Sequence, residues 1–457
     1  MRKRVFYINA AILTSSSVLL RLSNIWFRMF ICSKIGAAGM GLYQLVLSVF
    51  FLGITLCTSG IGLAVTRLVS EGRGTKSSVR QCTLCALALS LLGASALFFG
   101  ADFIAHWFIG NASAAMPLKL LAPGLPFIAI CSCLKGYFLA IRNTLVPVCS
   151  DFLEQFVTIG ASLLLLFSMS NALDALMLGS TIGEVFDCTF MIVLYHLFAN
   201  RNKLSKAKSS GVFQSILHIA GPILFGSFFR NLLSSTENML IPKGLKKYGA
   251  GDSGALAQYG VIQGMVMPIL YFPYSFLTSL SMLLIPEMAE ANAEGKQKAI
   301  QRVVEKAFRC TLMFSFFICS LFIFFADDLG MLFYKSREVG NILRIMAPIV
   351  PLMYLDSVVD GLLKGLDQQM YSLKYNFSDS IMRVILIAVF VPMFGLRAYI
   401  TVLFLSEIYN ASLSINRLLN VTTLEVDIWE WIVTPAVGAA LLYYILLLIQ
   451  KVSFISI

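Results

Sequence analysis

Leu118-Lys-Leu-Leu-Ala-Pro-Gly-Leu-Pro126 opens an apolar run that continues as Phe127-Ile-Ala-Ile-Cys-Ser-Cys-Leu134 before Lys135-Gly136. A second stretch, Leu343-Arg-Ile-Met-Ala-Pro-Ile-Val-Pro351, repeats it, again with a basic residue four positions before the first of two prolines. Each run has the length of a membrane crossing, for which about 20 apolar residues suffice. The repetition continues downstream. Leu134-Lys135-Gly136 matches Leu363-Lys364-Gly365, and Ser150-Asp151 matches Ser378-Asp379, all about 225–229 residues apart. In the first span of each half, Leu20-Arg21-Leu22 resembles Phe229-Arg230-Asn231.

The composition agrees with a bilayer as solvent. Of 457 residues, 58% are apolar and only 13% charged, and the mean hydropathy is +0.82. Soluble domains carry about 25% charge, so disorder, coiled coil and an ordinary globular enzyme are excluded. Thirteen stretches can span: 5–32, 41–69, 79–103, 117–141, 145–169, 173–199, 212–242, 254–289, 301–326, 341–366, 372–394, 396–418 and 428–450. The first is read as an uncleaved span, because it is too long for a signal-peptide apolar region and Arg21 and Arg28 interrupt it. The net charge of +11 is read as positive-inside bias and not as a nucleic-acid surface. With the N-terminus inside, Lys and Arg divide 21 inside to 10 outside. Trp107, Trp429 and Trp431 fall at expected interfaces.

These features predict an all-α polytopic membrane protein of about thirteen helices in two pseudo-symmetric six-helix lobes. The lobes are 1–200 and 212–420, joined by a cytoplasmic linker at 201–211 and followed by an extra C-terminal transmembrane helix within 421–457. Six spans per half is even, so the repeat is parallel, a transporter-type arrangement. No nucleotide-binding, hydrolase or metalloprotease motif occurs. The ten cysteines lie mostly in apolar runs, Cys82-Thr-Leu-Cys85 has no second metal-ligating pair near it, and three histidines are scattered. No catalytic residue, resident metal or cofactor is expected.

The informative residues are charges at membrane depth, which face the interior, a partner or water. Arg21, Asn24 and Arg28 share a face of span one, and Arg230 and Asn231 open the equivalent place in span seven, with Glu237 two turns on. One reading is a cationic wall for an anionic headgroup such as a diphosphate, since Arg offers a fixed fork of donors. The other is that Arg230 pairs with Glu237 and Arg28 snorkels outward. Buried acids are Glu154, Glu184, Asp187, Asp356, Asp360 and Asp379. Asp379 and Arg383 are spaced to bridge. Asp356 and Asp360 share a face and a sign, an arrangement relieved by a cation or a proton. Glu154, Glu184, Glu237, Asp356 and Asp360 are therefore the ion-coupling or counter-charge candidates, for Na⁺ or H⁺.

Gly60-Ile-Gly-Leu-Ala-Val-Thr-Arg-Leu-Val-Ser-Glu71 resembles the end of span two in the stage V sporulation protein B group. That group is a polysaccharide-transporter branch of the multidrug/oligosaccharidyl-lipid/polysaccharide (MOP) flippase superfamily. Leu134-Lys-Gly-Tyr-Phe138, Phe152-Leu-Glu-Gln155, Gly183-Glu184, Gln263-Gly-Met-Val-Met-Pro268 and Ser281-Met-Leu-Leu-Ile-Pro-Glu-Met-Ala-Glu290 resemble it in the same order. The likeness covers about residues 5–420. It implies a MATE-like fold, alternating access, and a lipid-linked saccharide or peptidoglycan precursor as cargo. Arg21, Asn24, Arg28, Arg230, Asn231 and Gln263 would then line the substrate cavity. It also implies a bacterial cytoplasmic membrane, contact with membrane lipids, and cell-envelope glycan synthases as partners. The alternative function is a cation-coupled multidrug antiporter of the same superfamily.

Overall fold

A computed structural model describes residues 2–70, 76–199, 212–424 and 427–455. The side chains of 2–18, 21, 76–77, 199, 212–220, 222–223, 279–280, 282–283, 286 and 452–455 lie outside this description. Among the described residues every regular element is helical: α1 Arg2–Thr58, α2 Ile61–Ser70, α3 Lys76–Phe103, α4 Ala115–Leu121, α5 Gly124–Ala140, α6 Leu145–Ser168 and α7 Ala172–Ala199. The second half runs α8 Val212–Leu245, α9 Gly251–Tyr259, α10 Met267–Ala293, α11 Gln297–Phe324, α12 Ala326–Tyr334, α13 Arg337–Met346, α14 Val350–Gly365, α15 Gln369–Phe394, α16 Leu396–Thr422 and α17 Thr434–Ile455.

Ten of the described helical stretches are long and apolar enough to cross a membrane, eleven if the bent pair Ala112–Leu121 and Gly124–Ala140 is one span, against the thirteen expected. The difference lies in two stretches, Leu22–Ser70 and Leu224–Thr278, of 49 and 55 residues. At 1.5 Å per residue each exceeds twice the bilayer core of about 30 Å. Both are interrupted where glycine permits a backbone that other residues resist: Gly36 at φ 67° and Gly249 at φ 112°.

Contacts divide the chain into two units. The first is Met1–Phe27 with Leu42–Met239, and the second is Arg28–Gly41 with Leu240–Ile457. The boundary expected at 201–211 falls outside the described residues. The units instead part at Met239, and each includes a segment from the opposite half of the sequence.

The internal repeat is legible in the coordinates. In the first unit Pro123 lies at the 43° bend between α4 and α5. In the second a 3₁₀ turn at Ala347–Ile349 holds Pro348 between α13 and α14. The repeated basic residue bonds an aspartate 17 residues earlier in both copies: Lys119 with Asp102 at 2.7 Å, and Arg344 with Asp327 at 2.6 Å. Both copies also end their helix on a left-handed residue, Arg142 at φ 60° and Asp367 at φ 59°. There the next amide bonds back to a carbonyl five residues earlier, Asn143 to Phe138 and Gln368 to Leu363. These short turns fold α6 back along α5 and α15 back along α14.

Within the first unit, α2, α3, α5 and α7 enclose a core that includes Ile61, Val65, Tyr137, Phe138 and Met191. Cys57, Cys82, Cys131 and Cys133 sit in it as small hydrophobes, and all ten cysteines are free. Within the second unit, Gly41 and Gly260 pack backbone to backbone, so that a Cβ on Gly260 would fall 2.6 Å from the Gly41 amide. Small residues allow this approach, which drives helix association in lipid. Trp107 and Trp429 are exposed, as belt residues should be, but Trp431 is 2% exposed and packs 5.3 Å from the Phe308 ring. The π-helical turn Trp429–Val433 turns it inward.

Candidate functional site

Three helices of the first unit bring charge to one place. Lys135 lies on α5, one turn after Cys131. Ser150, Asp151 and Glu154 lie on the first turns of α6, and Glu184 and Asp187 share a face of α7. Gly183 permits the α6–α7 approach, because a Cβ there would meet the Glu154 carbonyl at 3.2 Å and the Thr158 side chain. Lys135 Nζ is 2.7 Å from Asp151 Oδ1, 2.9 Å from Asp187 Oδ2 and 3.7 Å from Glu154 Oε2. Asp187 is 1% exposed. It also accepts from the Ser150 hydroxyl and, at 2.8 Å, from the Cys131 thiol.

Carboxylate oxygens of Glu154, Glu184 and Asp187 lie within 4.8 Å of one another. Such all-oxygen sets suit a hard cation, and here the Lys135 ammonium is held beside two of them. A cavity of about 470 Å³ opens onto Lys135, Glu154, Glu184 and Asp187, walled by Thr58 at the end of α1 and by Gly62 and Thr66 of α2. The group holds four acids to one base.

A related cluster occupies α14, α15 and α16 of the second unit. Lys364 bridges Asp360 one turn before it at 2.5 Å, and Ser372 donates to the same carboxylate. Arg383 bridges Asp379 at 2.5 Å, the i,i+4 pair expected, and Ser406 donates to the other oxygen of Asp379. Asn410 donates to Asp356 Oδ2 at 2.9 Å. Asp356 Oδ1 and Asn410 Oδ1 are buried without a hydrogen-bond partner among the described residues. Two buried acceptors turned to no donor are what a bound cation or proton would satisfy. The shared face expected of Asp356 and Asp360 is present, but each acid has its own partner, Asn410 for one and Lys364 for the other.

The remaining expected site residues fall as follows. The Arg21 side chain lies outside the described residues. Asn24 and Arg230 are exposed. Arg28 is half-buried, within electrostatic reach of the Tyr334 hydroxyl. Asn231 donates to the Thr55 hydroxyl, and Gln263 to the Tyr399 hydroxyl at 2.5 Å. Glu237 is buried. A second cavity of the first unit, about 280 Å³, is lined by Asn231 but not by Arg230.

Lys135 and Lys364 are not among the site residues expected from the sequence, because each stands near the end of its apolar run, where a lysine needs no partner at membrane depth. Their signal was the repeated Leu-Lys-Gly itself. Asp187 was legible only as a buried acid.

A family model described as polysaccharide biosynthesis protein matches residues 7–291, more than half of the chain. The chain belongs to the polysaccharide biosynthesis protein family. A second family model, MatE, matches 222–389. Stage V sporulation protein B of Bacillus subtilis (strain 168) is 28% identical over 385 residues, 80% of this chain and 74% of that protein. The solved structure of the lipid II flippase MurJ in an inward closed conformation superposes with a TM-score of 0.72 at 14% identity, covering 96% of this chain and 92% of MurJ. An inward-facing multidrug resistance MATE transporter of the MOP superfamily superposes with a TM-score of 0.66 at 15% identity, covering 90% and 100%. Family and fold thus agree with the resemblance read from the motifs: a polysaccharide biosynthesis family member whose helices can cross a membrane ten or eleven times has the fold seen in MurJ and in MATE transporters.

Proposed function

We propose that this transporter moves a lipid-linked saccharide from the inner to the outer leaflet of the bacterial cytoplasmic membrane by alternating access, with its N-terminus in the cytoplasm. The observation that carries the reading is the match to a polysaccharide biosynthesis family model over 7–291. The fold shared with a lipid II flippase over nearly the whole chain supports it. The arginines expected from the sequence, Arg21, Arg28 and Arg230, are assigned to the diphosphate headgroup, and the amides Asn24, Asn231 and Gln263 to polar groups of the cargo. The buried acids of both units, above all Asp356 and Glu184, are assigned to a coupling Na⁺ or H⁺. A charge moved through 100 mV carries about 2.3 kcal/mol, so a cation or the potential itself can drive the step.

The test is flipping of a fluorescent polyprenyl-diphosphate saccharide in reconstituted vesicles. Wild type should expose the headgroup to an outside reagent, and Arg21→Ala should slow this by about tenfold or more. Equal rates would remove Arg21 from the headgroup site. One observation favours a second reading: four carboxylates face a single lysine in the first unit, a sign suited to organic cations. Proton- or Na⁺-dependent efflux of cationic dyes, with no flipping, would establish that multidrug antiporter instead.

A further inference from the structure

The 280 Å³ cavity of the first unit is unlike either charged cluster. Its walls are neutral. On α8, Asn231, Ser234 and Asn238 recur at intervals of three and four, so they form one stripe along the helix. The facing stretch of α1 supplies Ser48, Phe51 and Thr55 at the same periodicity. Two such stripes are costly inside a bilayer unless their polar groups find partners. Part of the demand is met internally: Asn231 donates to Thr55, and the Ser235 hydroxyl donates to the Ser48 carbonyl at 3.0 Å. The Ser48 hydroxyl is different. Ser48 is 8% exposed and lines the cavity, yet its oxygen is buried without a partner among the described residues.

We infer that this cavity is a saccharide subsite, one that reads the uncharged ring of the cargo while the headgroup is held elsewhere. The inference rests on the flippase reading and names the part of the cargo this site takes. Three features favour a sugar. Hydroxyl and amide groups both donate and accept, as a ring of hydroxyls requires, whereas a charged ligand would leave this wall without a counter-charge. The exposed Phe51 ring offers an apolar face for the C–H side of a pyranose. At about 280 Å³ the cavity lies just below the usual span of ligand pockets, about 300–1,000 Å³, and so suits one ring better than a chain.

The test uses the full chain in vesicles with two carriers that share a polyprenyl diphosphate, one bare and one bearing a neutral N-acetylated disaccharide. The variant is Ser48→Ala with Asn238→Leu, which spares the Asn231–Thr55 bond. Transport of the sugar-bearing carrier should fall about tenfold relative to the bare one, the loss of one or two hydrogen bonds. An equal fall for both carriers, or none, overturns the subsite. If wild type moves neither carrier, the flippase reading fails by itself. The subsite is then decided by thermal stabilisation of the purified protein with free disaccharide. Stabilisation of wild type that is lost in the variant supports it, and equal or absent stabilisation overturns it.

Discussion

Lys135 Nζ lies 2.9 Å from Asp187 Oδ2, and Asp187 is the acid of that cluster most completely closed off from solvent. The ammonium is what makes the Asp187 charge tolerable at membrane depth. Removing it leaves a buried carboxylate with only a hydroxyl and a thiol as donors. Lys135→Met should therefore destabilise the protein by about 3–5 kcal/mol. Adding Asp187→Asn should restore most of it, because the charge left behind is then gone. Thermal unfolding in detergent, read as a double-mutant cycle, checks this. Additive losses would show that the two groups do not depend on each other.

The Lys119–Asp102 and Arg344–Asp327 bridges give the opposite expectation. Their side chains are 31% to 70% exposed, and exposed pairs contribute about 0–1 kcal/mol. Asp102→Asn and Asp327→Asn should each shift stability by no more than that, measured in the same unfolding assay. A loss as large as that of Lys135→Met would mean these repeated bridges do more than close a turn.

Gly183 and Gly160 separate packing from composition. A Cβ at Gly183 meets the Glu154 carbonyl and the Thr158 side chain, whereas one at Gly160 meets nothing within 4 Å. Gly183→Ala should cost about 1–3 kcal/mol by forcing α6 and α7 apart, and it should slow transport because Glu154 and Glu184 move with the helices. Gly160→Ala should be neutral in both assays.

Asp356→Asn separates stability from coupling. A second amide can donate to the unpaired Asn410 oxygen, so unfolding should be unchanged or slightly later. The dependence of transport on Na⁺ or pH should be lost if Asp356 carries the ion. Retained dependence would move coupling to the first unit, where Glu184→Gln is the matching variant.

The helical fold and the repeat were legible in the sequence because spans and proline pairs leave signatures at fixed spacing. Pro123 and Pro348 mark breaks in their helices, and Asp379 and Arg383 pair as their spacing required. The clusters were legible only in part. Lys135 looked like a topology signal because its partners lie on α6 and α7, 16 to 52 residues away, and no local pattern reports such a contact. The neutral stripe on α8 was missed for another reason: Ser and Asn carry no charge to draw the eye. Their recurrence at Asn231, Ser234, Ser235 and Asn238 was nonetheless visible. The thirteen stretches expected and the ten or eleven found differ where two helices meet without a gap, at Gly36 and at Gly249.

The assignment of Arg28–Gly41 to the second unit, sealed by the Gly41–Gly260 approach, bears on how this protein could be dissected. A cut between residues 200 and 211 would sever the chain at its obvious joint, yet it would strand the Arg28–Gly41 segment away from the body it packs with. Fragments 1–205 and 206–457 produced separately should each be unstable. Made together in one membrane, they should reassemble into a working molecule.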